Sequence, residues 1–297
     1  MAEIEVTVEN LLAQLIFLSF FASCILLIAW QKAFFTYPNP TEQTYRFSFT
    51  PVIGAFFTFL VMVLLVGPLL FFAWYSFKQG HLVQSIPRPM DSLSEGMINI
   101  ISILCSAGGL ALYYRFCSER IQQAVWRGHE KLSIKRDLLM GILTWLIAYP
   151  AVSAVGKAIE LIAFWKFDFI AKEQIAVQYL RMTQDHPVIF TMMAVLIVFV
   201  VPVVEELLFR GFLQSWLIGK VSRGKAIVIT SVIFAFFHFS SAQGFGNVEL
   251  LASLFVLSCF LGFIYERQQS LWASVALHGI FNGVSVIAIA AGISAID

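Results

Sequence analysis

Charge is what this chain has least of. Asp, Glu, Lys and Arg make up 12% of its 297 residues, about half the usual share, and nearly cancel to a formal net charge of +1. So little charge cannot clothe a water-soluble surface of this size, and the missing basic excess argues against a nucleic-acid partner. Cysteine is scarce too. Cys24, Cys105, Cys117 and Cys259 lie in or beside apolar segments, with no Cys-x-x-Cys and no paired spacing, which reads as small buried hydrophobes rather than a disulfide or thiolate-metal framework. Low-complexity tracts, internal repeats and linkers long enough to set off a soluble domain are also missing. One membrane domain should therefore fill residues 1–297.

What is present is apolar: 59% of the residues are hydrophobic and 30 are Phe. The reading is an all-α, polytopic helical bundle integral to a membrane, with the lipid bilayer as its solvent. Because about 20 helical residues cross the hydrocarbon core, apolar runs bounded by polar or Pro/Gly clusters count the spans. Eight are found: Leu11 to Trp30, Pro51 to Phe77, Leu93 to Phe116, Leu138 to Trp165, Val188 to Leu208, Ala226 to Phe239, Leu250 to Tyr265 and Leu271 to Ala291. The sixth and seventh are short, so one of them could be tilted, extended or re-entrant, and seven crossings is an admissible count.

Ahead of the first run stand Glu3, Glu5 and Glu9 with no Lys or Arg, unlike the basic leader of a cleaved signal peptide, so that run reads as a retained helix. Between Lys166 and His186, Ile170, Ile175, Val177 and Leu180 alternate with Lys172, Glu173, Gln174, Gln178, Arg181 and Asp185. That pattern fits an interfacial amphipathic helix or a solvated surface helix.

With eight spans the loops alternate sides, and cytoplasmic loops hold the excess of Lys and Arg. One side collects thirteen: Lys32, Arg46, Arg115, Arg120, Arg127, Lys131, Lys135, Arg136, Arg210, Lys220, Arg223, Lys225 and Arg267. The other has five: Lys78, Arg88, Lys166, Lys172 and Arg181. Both termini are expected on the non-cytoplasmic side, with Glu205 and Glu206 at the cytoplasmic end of the fifth span.

An ionisable side chain at membrane depth costs several kcal/mol unless it is paired or meets water, so each one is a candidate functional residue. Few occur here: Glu205, Glu206 and Arg210, then His238 in a Phe-rich run, then His278 with Asn282. Lys157 and Glu160, three apart on one helical face, read as a simple ion pair. Glu206 and Arg210 share a face at i and i+4 and can neutralise each other, whereas Glu205 points about 100° away and needs another reason to be there. His278 and Asn282, also four apart, put two hydrogen-bond donors on one face. A carboxylate beside an imidazole can activate water, and a His/Asn pair can hold the oxyanion formed when water adds to a carbonyl. Together they point to acyl hydrolysis within a membrane, in a catalytic core of about residues 188–291.

The three motifs EELLFR (205–210), FAFFH (234–238) and HGIFN (278–282), in this order, resemble those of the CAAX-protease and bacteriocin-processing family. These are intramembrane glutamate proteases that include the type II CAAX prenyl endopeptidases. The resemblance covers roughly the last third of the chain. It implies that Glu205 and His238 polarise the attacking water, that His278 and Asn282 form the oxyanion hole, and that Glu206 and Arg210 orient the site and the Glu205 carboxylate. It implies no cofactor and no metal, and a protein or peptide substrate that is membrane-associated and in the best-known branch prenylated. The residues that would bind that substrate are not legible.

Two other readings stay open on the residues alone. Glu and His are zinc-ligand types, although no His-Glu-x-x-His is present and Arg210 disfavours a nearby dication. A transporter with a Glu/His proton relay, or a scaffold or immunity protein of the same family, would also place polar groups in spans. Transporters often show two related halves, whereas here the polar residues gather in the C-terminal third.

Overall fold

The computed structural model describes residues 7–38, 46–80, 90–126, 134–169 and 174–292. Ten helices and no strand occur among them. They are α1 (Val8–Gln31), α2 (Thr50–Gln79), α3 (Ser92–Phe116), α4 (Glu119–Trp126), α5 (Ile134–Phe167), α6 (Ile175–Met182), α7 (Pro187–Ile218), α8 (Arg223–Phe237), α9 (Gly246–Gln268) and α10 (Leu271–Ala290). Helices are the only open elements that satisfy every backbone group inside a bilayer. Seven of them, α1, α2, α3, α5, α7, α9 and α10, are long and apolar enough to cross.

The expected sixth span is the exception. α8 has 15 residues, about 22 Å at the helical rise, against a hydrocarbon core of about 30 Å. His238 is therefore not well inside a span but caps the end of a short helix. The fifth span differs in the other direction. α7 runs on to Ile218, so Glu205 and Glu206 sit near its middle rather than at its end, and Arg210 is a fully buried helical residue rather than a loop cation.

Of the amphipathic stretch, Ile170, Lys172 and Glu173 lie outside the described residues. Ile175 to Met182 is a helix, with Leu180 buried and Tyr179 and Met182 exposed. Glu3, Glu5, Arg88, Arg127 and Lys131 also lie outside the described residues.

Helix ends follow local chemistry. Thr7 caps α1 by accepting the Asn10 N–H at 3.2 Å. Asp91 caps α3 by accepting the Ser94 N–H at 2.9 Å, and hydrogen bonds from Ser94 hold its carboxyl below the usual aspartate range. At the end of α2, Gly80 takes the left-handed conformation (φ 72°) that favours glycine.

Helix association in lipid rests on close packing more than on the hydrophobic effect. Gly67 of α2 lies so close to α3 that a Cβ there would come within 2.8 Å of the Ser102 Cα. α5 forms a central post, packed against α1, α9 and α10. The second half of α7 is the hub: every residue from Leu207 to Gln214 is buried. Leu208, Phe209 and Phe212 join a core with Val52 and Ala55 of α2, Leu110 of α3, Val125 of α4, Phe234 of α8 and Tyr265 of α9. A helix buried all round has room for polar groups only where neighbouring helices supply partners.

Candidate active site

α7 departs from α-helical hydrogen bonding in two places, and both touch the site. From Leu196 to Val200 it is π-helical, and the Val201 N–H reaches back five residues to the Leu196 carbonyl. The next position in that pattern is Pro202, which has no N–H to give the Ile197 carbonyl. Asn282 of α10 supplies the missing donor, its Nδ2 lying 2.9 Å from Ile197 O. Close by, Gly279 lets α10 approach the α7 backbone, since a Cβ there would fall 2.8 Å from Val198 O. Irregular helix and close helix contact thus occur together beside His278.

The second π-helical run spans Leu207–Gln214. Bonds that span five residues widen the turn, so a spacing of four keeps Glu206, Arg210 and Gln214 on one face. Arg210 Nη1 donates to Glu206 Oε1 at 2.9 Å, and neither residue has any exposure. The same Glu206 oxygen lies 2.9 Å from His278 Nδ1. Arg210 also donates through Nη2 to Ser258 of α9, at 2.6 Å to Oγ and 3.1 Å to the carbonyl. Its guanidinium lies 4.6 Å over the ring of Phe234. Such fixed, charge-assisted contacts are what a planar guanidinium forms best.

Glu205 faces the other way. Its Oε2 is 3.8 Å from His238 Nε2 and 3.8 Å from His278 Nε2, and accepts no hydrogen bond among the described residues. The partners of the two rings set their tautomers. His238 Nδ1 lies 2.9 Å from the Phe234 carbonyl, an obligate acceptor, so Nδ1 carries a proton. His278 Nδ1, held by the Glu206 carboxylate, is assigned a proton in the same way. Both Nε2 atoms therefore point toward one carboxylate oxygen. The side chains of Glu205, His238 and His278 are 18%, 30% and 7% exposed, so the site is open on the His238 side and closed behind His278.

Five of the six residues expected from the sequence, Glu205, Glu206, Arg210, His238 and His278, thus form one contact network. Asn282 stands on the same helix as His278 and binds the α7 backbone. One expectation needs correcting: Glu206 and Arg210 hold His278, not the Glu205 carboxylate, because Glu205 projects from a different face of α7. Lys157 and Glu160 form the expected ion pair at 2.8 Å. The sequence reading missed Phe234 as the ring under Arg210, and Gln214, Ser258 and Glu266 as buried polar partners. The continued spacing of four from Glu206 through Arg210 to Gln214 was the signal available.

Among the described residues, no group of three or more His, Cys, Asp or Glu is placed to hold a metal ion. An apolar groove of about 550 Å³, lined by Leu104 of α3 and Pro187, Val188, Thr191, Met192, Val195 and Leu196 of α7, contains none of the six residues.

Residues 187–284, from the start of α7 to near the end of α10, match the family model described as type II CAAX prenyl endopeptidase Rce1-like. The chain carries an Rce1-like domain. All six site residues fall within that domain, while α1 to α6 lie outside it. No curated protein and no solved structure matches the chain. An Rce1-like domain supports a CAAX-type protease-like function in general, in a multi-pass membrane protein.

Proposed function

We propose that the chain is an intramembrane endopeptidase of the glutamate type, cutting a peptide bond near the C-terminus of a membrane-associated, lipid-modified substrate. The observation that carries this reading is the convergence of two imidazole Nε2 atoms on Glu205 Oε2, each at 3.8 Å. That spacing is too long for a direct hydrogen bond and leaves the carboxylate to act through water.

In the proposed reaction Glu205 and His238 take a proton from water as its oxygen attacks the scissile carbonyl carbon. The carbonyl oxygen becomes an oxyanion, held by His278 Nε2, which donates when a second proton joins the one on Nδ1, and by the Asn282 Nδ2–H that Ile197 does not take. Glu206 supplies the buried countercharge for that imidazolium, and Arg210 fixes Glu206. The tetrahedral intermediate then expels the leaving nitrogen, which receives the proton held by Glu205 and His238. The products are a carboxylate and an amine.

The test is hydrolysis of a fluorogenic farnesylated C-terminal peptide by purified protein in detergent, beside Glu205→Gln and His238→Ala, with and without chelator. Turnover by the wild type alone, insensitive to chelator, is expected. Cleavage by Glu205→Gln at the wild-type rate would sink the glutamate mechanism, and loss on chelation would make it a metalloprotease.

A further inference from the structure

The polar face of α7 does not stop at Arg210. Four residues on, Gln214 is also wholly buried, and its Nε2 donates to the α9 carbonyl of Gly262 at 3.0 Å and reaches Glu266 Oε1 at 3.4 Å. The α9 partners repeat the spacing of four: Ser258, Gly262 and Glu266. Gly262 leaves room for that side chain, since a Cβ would fall 2.6 Å from Gln214 Oε1 and 3.1 Å from Ile227 Cγ2. Glu266 is 1% exposed and faces Arg223 of α8 at 3.6 Å, and Arg223 donates to the Pro38 carbonyl at 3.0 Å. Beside this row, Ser215 Oγ and Tyr265 Oη meet at 2.8 Å, and Tyr265 donates to Val125 O of α4 at 2.9 Å. A ladder of buried polar rungs thus runs from His278 and Glu206 through Arg210 and Gln214 to Glu266, with the part-exposed Arg223 at its outer end.

Buried polar contacts are weak as stabilisers but strong as register markers, since a slip leaves charges unpaired in an apolar interior. Apolar rungs between two helices can slide by a turn at little cost. A Gln seated on one glycine carbonyl and one glutamate cannot. The Glu206–Arg210 rung belongs to the same face of α7, so its axial position relative to α9 is set wherever the other rungs are set.

From this geometry we infer that Gln214 and Glu266 are positioning residues of the catalytic site. They lock the register of the π-helical half of α7 against α9, and so hold Glu206 on His278 Nδ1 and Glu205 within reach of both Nε2 atoms. This rests on the proposed hydrolytic reading for its kinetic consequence, but not for its structural one. Neither residue touches substrate; each acts through Arg210 and Glu206.

The experiment compares wild type, Gln214→Leu, Glu266→Leu and E266Q, which keeps an acceptor for Gln214. Three properties are measured: kinetics on the farnesylated peptide, thermal unfolding, and the ¹⁵N resonances of the His278 ring. The two leucine variants should lower kcat by about 10²-fold, the scale of a misplacement near 1 Å, with KM unchanged and the unfolding transition still cooperative. E266Q should retain most of the wild-type kcat. The His278 Nδ1 resonance should move in both leucine variants and stay in place in E266Q. A wild-type kcat in both leucine variants, or an unmoved His278 resonance, would overturn the inference. If the wild type itself does not cleave the peptide, the hydrolytic reading fails, and the His278 resonance alone decides the ladder.

Discussion

At the scale of single residues, a spacing of four was enough to pair Glu206 with Arg210, because both lie on one helix and the pairing is local. Which imidazole Glu206 would hold was not legible. That depends on how far α10 slides along α7, a matter set by Gly279 and by Asn282 on the Ile197 carbonyl rather than by any pattern within one segment. Arg210 is the residue on which most contacts depend. Replacing it with Met leaves Glu206 charged, wholly buried and short of its cation, a loss of about 3–5 kcal/mol in stability for a broken buried pair. Thermal unfolding in detergent should show this as a clear drop for R210M, and a smaller one for the double variant that adds Glu206→Gln. Arg210→Lys should rescue poorly, since a single ammonium cannot serve both Glu206 and Ser258 with the fork that Arg210 uses. An R210M protein as stable as the wild type would mean that the pair contributes nothing.

All eight segments expected to cross are helical and seven are long enough to do so, because their signal, about 20 apolar residues between polar clusters, is local too. The fifth and sixth departed, and the cause is readable for the fifth. A hydropathy pattern reads charge as a boundary, and the first charges after Val188 are Glu205, Glu206 and Arg210. In α7 Glu206 and Arg210 pair with each other and are held by His278 of α10 and Ser258 of α9, so the helix passes straight through them to Ile218. The pattern cannot distinguish a charge meeting water from a charge meeting a partner helix. Contact between α7 and α10 supplies a direct test. Gly279→Ala places a methyl group within 2.8 Å of the Val198 carbonyl and must push the helices apart. Overpacking of this kind costs about 1–3 kcal/mol, and displacing His278 from Glu206 and Glu205 should lower kcat by about 10²-fold. Retained activity in Gly279→Ala at an unchanged unfolding temperature would show that the close approach is not needed.

For the molecule as a whole, orientation rests on the distribution of Lys and Arg. Removing Arg210 from the loop residues leaves the asymmetry intact, with twelve basic residues on one side and five on the other. On this distribution Lys225 at the start of α8 is expected on the cytoplasmic side and Lys78 at the end of α2 on the opposite one. In a background lacking the four native cysteines, a membrane-impermeant thiol reagent added outside intact cells should label Lys78→Cys and spare Lys225→Cys. The opposite result would invert the topology. Substrate choice is the least legible property, because α1 to α6 carry no motif and fall outside the matched segment. One consequence follows from α8. A helix of 15 residues cannot span an unperturbed hydrocarbon layer of about 30 Å, and lipids beside a short apolar element respond by thinning. The bilayer should therefore dip at His238, bringing headgroups and water toward the open side of the site, and membranes with shorter acyl chains should accommodate this protein at lower elastic cost than thick, sterol-rich ones.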